Sequence, residues 1–270
     1  MSDTLTPVNV STPLRLREVT AGYGSRTILH GLDIEVPVGR FTSVIGPNGC
    51  GKSTTLRVMA RLLSPDSGDV LWHGRPVADL KPRELATQLA MLPQVPVAPE
   101  GMTVEDLVAM GRQPHQPWWR AWSAEDDRIV AEAMAATAIA DLAERPLDEL
   151  SGGQRQRAWI AMTLAQQTEL LLLDEPTTHL DLAHAVEVLD LVCRLRDDTG
   201  RTVVAVLHDL SLAARYSDHL VVLKDGRLVT AGAPREVLTP ELLLDTFGLR
   251  AHVFDDPVEG RPVVVPVGHG

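Results

Sequence analysis

Short apolar runs punctuate the chain and predict its strands. The first three, Leu14 to Val19, Asp33 to Val36 and Phe41 to Ile45, lie close together, and the third leads straight into "GPNGCGKSTTLRVMARLL". That text reads as strand, glycine loop, helix. Further runs stand at Asp69 to Trp72, Leu89 to Leu92, Leu170 to Leu173, Thr202 to Leu207 and Leu220 to Leu223. Several show no polar alternation, which is how a strand covered on both faces reads. Helical patterns separate the last four, so the pattern predicts an α/β fold with a largely parallel sheet and an antiparallel layer at the N-terminal end.

Between Pro96 and Leu150 the strand pattern stops. Thr103 can cap a helix with Glu105 and Asp106 in its first turn, Val104, Leu107 and Val108 on one face, and Gly111 as its stop. Ser123 opens another, with Glu125, Asp126 and Asp127 in the first turn and Val130, Ala133, Met134 and Ala138 on the buried stripe. An all-helical insert over about 96–165 is the expectation. The linker "GRQPHQPWWRAWSAEDD" between the two helices holds Trp118, Trp119 and Trp122, three of the chain's five tryptophans, with no apolar period. The rings are either core or an anchor for a partner. After Asp245 the segments "HVF" and "RPVVVPV" flank Asp-Pro and Glu-Gly turns and predict a hairpin over about 250–267. A single domain over 14–267, after a disordered lead of residues 1–13, accommodates all of this.

Composition narrows the partners. The 270 residues include 36 acidic against 25 basic side chains, a net charge of −11, which argues against general affinity for nucleic acid or an anionic membrane surface. The two cysteines, Cys50 and Cys193, make no disulfide framework and fit a reducing compartment. The opening "MSDTLTPVNVSTP" lacks the charged and apolar regions of a signal peptide, and no apolar run has the length to span a bilayer.

The chemistry begins at Gly46 to Ser53, "GPNGCGKS", a phosphate-binding loop pattern in its confirming context of strand before and helix after. Gly46, Gly49 and Gly51 let the backbone curl around Pro47, Asn48 and Cys50 so that N–H groups face a polyphosphate, Lys52 reaches its outer oxygens, and Ser53, with Thr54 beside it, offers a hydroxyl to Mg²⁺. In "LLLLDEPTTHLD" an apolar strand ends in Asp174, expected to hold the Mg²⁺, and Glu175 beside it is expected to act as general base on water. Ser151, with Gln154 three residues on, forms a capping box, and Gly152 and Gly153 strip side chains from that helix end so that it can approach a phosphate. His179 and His184, five apart, do not share a helical face, which speaks against a dedicated metal site. Cys50 mainly needs to be small, yet a thiol at a helix N-terminus can have a lowered pKa, which would make it reactive to thiol reagents and protected by nucleotide.

The string "LSGGQRQR", Leu150 to Arg157, resembles the signature of the ATP-binding subunits of ABC transporters, and with the two motifs above the resemblance extends over nearly all of residues 14–267. It implies a P-loop NTPase of ABC type, with a RecA-like mixed sheet and an inserted helical subdomain. It further implies that ATP and Mg²⁺ are bound, and that the Ser151 helix serves ATP held by the opposite subunit of a head-to-tail homodimer. By the same resemblance Tyr23 matches the aromatic that stacks on adenine. Gln94 matches the residue that senses Mg²⁺ and the attacking water, His208 the histidine at the γ-phosphate, and Asp181 the loop linking the two sites. The insert lacks the heptads of DNA-repair members, and only one nucleotide-binding unit is present, unlike translation-associated members. "TVEDLVAMGRQPH" and "VLHDLSLAARYSDHLVVL" are most similar to the ferric-siderophore branch, beside haem and cobalamin importers. Such a subunit sits on the cytoplasmic face of the membrane, bound to a permease and served indirectly by a substrate-binding protein. From another class, a non-transport switch that dimerises on ATP stays open.

Overall fold

The computed structural model describes residues 13–116, 120–178 and 180–269. Trp118, Trp119, His179 and the lead up to residue 12 lie outside the described residues. Pro13, counted in that lead, is held in place, since its carbonyl accepts a hydrogen bond from His73 N at 2.7 Å.

Strands β1 (Leu14–Tyr23) and β2 (Arg26–Val36) form a long antiparallel pair before β3 (Phe41–Ile45) enters the central sheet. The chain passes through helix α1 (Lys52–Met59), returns to the first sheet as β4 (Ser67–Trp72) and the short β5 (Arg75–Pro76), and turns through α2 (Pro82–Ala86). It then adds β6 (Leu89–Leu92) to the central sheet. Three insert helices follow: α3 (Val104–Met110), α4 (Ala124–Ala136) and α5 (Gly152–Ala165). β7 (Leu170–Asp174), α6 (Leu182–Thr199), β8 (Thr202–Val206), α7 (Leu210–Tyr216) and β9 (His219–Lys224) complete the parallel part. β10 (Arg227–Gly232), α8 (Pro234–Val237), α9 (Pro240–Phe247) and a hairpin of β11 (Leu249–Asp255) and β12 (Pro262–His269) end the chain.

The central sheet has the order β10-β9-β3-β8-β7-β6, and the first sheet β2-β1-β4-β5. β3, β6, β7, β8 and β9 run parallel, and only β10 is reversed. Because side chains alternate across a strand, the uniformly apolar runs feed two layers. Leu170, Leu172, Val204 and Val206 pack with the antiparallel sheet and α1. Leu171, Leu173, Val203 and Ala205 pack with the insert helices and the C-terminal elements. Each such Leu or Val side chain contributes about 1.5–3 kcal/mol on burial, so neither layer is dispensable. The mixed sheet, the antiparallel layer and the helical insert all appear as the sequence predicts. Missed were β5 and β10, whose half-exposed residues carry no apolar pattern. Each follows a tight turn, His73-Gly74 and Asp225-Gly226, with both residues at positive φ, and the Asp-Gly pair is a hairpin signal the sequence did carry.

The insert corrects three expectations. α4 ends at Ala136; Ala138 adopts φ 55° and is exposed, and Ile139 takes the buried place instead. Gly111 does follow the last residue of α3, but in right-handed conformation: a Cβ there would lie 2.2 Å from the Met162 carbonyl, so close approach of α3 to α5 is what demands glycine. Asp126, expected merely to favour a helix end, is fully buried. Its Oδ2 accepts from the Ser123 hydroxyl and backbone N, and its Oδ1 accepts from Arg112 Nε at 3.0 Å. Arg112, 4% exposed, also donates to the Ala165 carbonyl and Gln167 Oε1, while His115 contacts the Gln166 carbonyl. The start of the linker is thus pinned to the C-terminal end of α5, whereas Trp122 is 43% exposed with its indole N–H on Asp127.

Burial alone would raise the Asp126 pKa, but the Ser123 and Arg112 hydrogen bonds overcome it and hold the carboxyl at about 2. A carboxyl depressed on folding stabilises above its unfolded pKa and loses that contribution as pH falls through the folded value. Replacing Arg112 with Ala strands a buried carboxylate and is expected to lower unfolding free energy by about 3–5 kcal/mol in urea titrations at neutral pH. For Asp126→Asn the deficit against wild type should shrink as pH is lowered from about 4 toward 2, where wild type loses the same interaction.

Candidate functional site

Four adjacent parallel strands, β3, β8, β7 and β6, finish at one edge of the central sheet, and each leads there into an expected site residue. β3 runs into Gly46, β7 ends in Asp174 with Glu175 next, β8 precedes His208, and β6 precedes Gln94. The outcome is an open cleft of about 510 Å³ walled by Asn48, Gly49, Lys52, Gln94, Glu175 and His208, with Gly51, Ser53 and Thr54 at the base of α1. Arg26 and Ile28 of β2 complete the wall. Sequence reasoning missed both, although Arg26 pairs across the hairpin from Tyr23.

The loop is shaped by glycine where nothing else fits. Gly46 has φ 154°, and a Cβ on it would fall 2.1 Å from the Leu223 carbonyl; Gly51 caps α1 at φ 102°. A second support comes from the missed β9–β10 hairpin, because Gly226 N donates to the Cys50 carbonyl and the Gly226 carbonyl accepts from His30 N. Lys52 is 5% exposed, its ammonium donating to the carbonyls of Gly46 and Pro47 at 2.9 and 3.0 Å. Gly46, Pro47 and Cys50 are not on the cleft wall.

Ser53 Oγ donates to Asp174 Oδ1 at 2.8 Å, joining helix α1 to the end of β7. Burial, aided by the neighbouring Glu175 charge and opposed by the Ser53 bond, raises the Asp174 pKa. Its Oδ2 is buried and has no partner among the described residues. An orphaned carboxylate oxygen beside a hydroxyl is a donor set that fits a hard divalent cation, which keeps other ligands from water and phosphate. Glu175 stands at φ 55°, a conformation strained for glutamate, and is held there by its carboxylate contacts: Gln94 Nε2 at 2.6 Å, the Thr178 hydroxyl at 2.9 Å and His208 Nε2 at 2.6 Å. Burial works to raise its pKa, yet the bonds from His208, Thr178 and Gln94 prevail and keep it below the ordinary value, so the group is ionised at neutral pH. Thr178 carried no signal of this role in the sequence.

The remaining expected residues lie elsewhere. Tyr23, 45% exposed, ends β1 and accepts a hydrogen bond from Arg57 on its hydroxyl, off the cleft wall. Ser151 and Gln154 form the reciprocal capping box at the start of α5, also away from the cleft. Gly152 there is exposed, but Gly153 is buried, and a Cβ on it would meet the His184 ring at 2.8 Å, so its bareness serves packing within the chain. Asp181 caps α6, accepting from His184 N and contacting its Nδ1.

Cys50 overturns the reactivity expected of it. The thiol is 3% exposed in the core under the antiparallel sheet, and burial raises its pKa against the lowering effect of Lys52. Proximity to a helix start is outweighed by loss of water around the thiolate.

Residues 29–178 match the family model described as ABC transporter. The chain therefore belongs to the ABC transporter family, as one of its ATP-binding subunits, whose activity is ATP hydrolysis coupled to transport. It is 49% identical over 94% of each chain to the ferric enterobactin transport ATP-binding protein FepC of Escherichia coli. To the iron(3+)-hydroxamate import ATP-binding protein FhuC of Bacillus subtilis it is 47% identical over 93% of each. A solved metal-chelate type ABC transporter in an inward-facing conformation has a chain that superposes with a TM-score of 0.83 at 27% identity, over 96% of this chain and 98% of that one.

Thiol reagents at neutral pH should label Cys50 only slowly in the folded protein and rapidly in denaturant, read by mass spectrometry of the tryptic peptide. Fast native labelling, relieved by ATP, would restore the reactive-thiol reading.

Proposed function

We propose that the chain is the ATPase of an importer for ferric siderophores, working as a homodimer against permease subunits at the cytoplasmic face of the membrane. The relatives named for ferric enterobactin and iron(3+)-hydroxamate support the cargo, and the relatives include hemin import proteins, which keeps haem as the second cargo to be tested. No helix among the described residues is long and apolar enough to cross a membrane, in keeping with a peripheral subunit. Beside Gln94, Val95 and Val97 are 74% and 85% exposed, an apolar loop suited to a permease contact. The single domain proposed spans 14–267, with its helical part over about 96–165.

The observation that carries the mechanism is the position of Glu175, ionised and held by three donors beside the Ser53–Asp174 pair. Ser53 and Asp174, with Gln94 on the same cleft, would hold Mg²⁺, which would supply neutralisation of phosphate charge. The loop from Gly46 to Thr54 cradles the phosphates by backbone N–H groups, with Lys52 turning from the Gly46 and Pro47 carbonyls to the outer oxygens. Glu175 takes the proton of a water whose oxygen attacks the γ-phosphorus, the bond to the β–γ bridging oxygen breaks, and His208 contacts the transferred group. Ser151, Gly152, Gly153 and Gln154 stand apart from the cleft of their own chain, which supports their acting on ATP in a second copy, with Tyr23 toward adenine and Asp181 linking the sites. A substrate-binding protein on the far side of the membrane would deliver the chelate.

Glu175→Gln should bind ATP with wild-type affinity while turnover falls by about 10²–10⁴, the usual share of a general base; wild-type hydrolysis in that variant would refute the assignment. In a strain deleted for the gene, uptake of a panel of labelled ferric siderophores should fall and haem uptake should persist. The opposite selectivity would move the cargo to haem.

A further inference from the structure

Arg26 differs from the other arginines of the antiparallel sheet. Those on its strands are each paired with a carboxylate: Arg15 with Glu35 at 3.3 Å, Arg17 with Asp69, and Arg75 with Glu84 at 3.2 Å. Arg26 is exposed and has neither an ion-pair partner nor a side-chain hydrogen bond among the described residues, yet it stands on the wall of the nucleotide cleft. An unpaired guanidinium is ordinary on open surface. On this wall it is a second fixed cation beside Lys52.

Its backbone is held there by close approaches. Across the hairpin, a Cβ on Gly22 would lie 2.1 Å from the Arg26 carbonyl, so β1 presses directly on it. The β1–β2 ladder slips between the pairs Gly22–Thr27 and Ala21–Leu29, which leaves Ile28 as the extra residue of a bulge. Ile28 in turn lies against the phosphate loop, since a Cβ on Gly51 would meet its Cγ2 at 3.3 Å. β2 therefore touches the loop at Ile28, with Arg26 two residues nearer the hairpin tip and opposite Tyr23.

The charged groups of the cleft come from different elements. Glu175 and His208, following β7 and β8, mark the side on which the terminal phosphate is attacked, and Lys52 is anchored at the loop by the Gly46 and Pro47 carbonyls. Arg26 enters from the other sheet, beside the aromatic residue placed toward adenine, so the phosphate within its reach is the one nearest the nucleoside. We propose that Arg26 is a nucleotide-binding residue whose guanidinium donates to the α-phosphate, leaving the outer phosphates to Lys52 and the Ser53–Asp174 pair. The inference rests on ATP occupying this cleft as proposed above. An α-phosphate is present alike in substrate, transition state and product, so the contact is uniform binding: it lowers KM and leaves kcat as it is.

The test titrates the full-length chain with ADP and with a non-hydrolysable ATP analogue, and follows steady-state hydrolysis of ATP. In Arg26→Gln the dissociation constants for both nucleotides and the KM for ATP should rise about tenfold, the effect of one charge-assisted hydrogen bond, with kcat retained. Arg26→Lys should recover part of the affinity. Arg250→Gln, which removes the same charge from the exposed face of the C-terminal hairpin, should bind both nucleotides as wild type does. The thermal midpoint of Arg26→Gln without nucleotide should match wild type; should that variant not fold, Arg26→Met decides by the same readouts. Unchanged affinity in Arg26→Gln, a loss confined to the triphosphate, a fall in kcat at unchanged KM, or an equal loss in Arg250→Gln would overturn the assignment while leaving the cleft as the ATP site. A wild-type chain that binds neither nucleotide would remove both.

Discussion

Burial of the parallel strands on both faces is the constraint on which everything else in this molecule rests. β3, β7 and β8 are buried at every residue, and their side chains alternate between two apolar layers, so none of the three can slip by one residue without exchanging the layers it feeds. With register fixed in this way, the strand ends coincide at one edge. Gly46, Asp174, Glu175 and His208 meet because the apolar residues behind them have nowhere else to go.

On that edge the polar contacts are few, and each sets a conformation. The Ser53–Asp174 bond ties the phosphate loop to the end of β7, while Gln94, Thr178 and His208 together hold Glu175 in a backbone conformation it would otherwise avoid. The insert follows the same logic in its interior. There the Arg112–Asp126 pair, with four further acceptors and donors around it, fixes a linker that has no apolar period of its own. The segment that looked like a partner's landing site in composition thus begins as an internal brace, with Arg112 buried and Trp122 exposed.

The strands of the central sheet, the phosphate loop and the capping boxes at Thr103, Ser123 and Ser151 were legible because each is encoded locally, in hydrophobic period, in glycine spacing, or in a side chain and its partner three residues on. Less legible were β5 and β10, half exposed and so without period, although the Asp225-Gly226 turn was readable. Ala138 and Cys50 were misread for one reason: both depend on what surrounds them. A helix that stops two residues early moved Ala138 to solvent, and a sheet laid over the loop took water from the Cys50 thiol.

The sequence by itself determined the family, the order of the main elements and the identities of most residues that wall the cleft, since these are written in contiguous strings. Only the tertiary structure decided which of those groups share one cleft. Lys52, Gln94, Glu175 and His208 do, while Ser151 and Tyr23 do not. The physical reason is that hydrogen-bond satisfaction, burial and the pKa values they shift are properties of three-dimensional neighbours, and the neighbours of a strand end are set by register across the sheet rather than by adjacency along the chain.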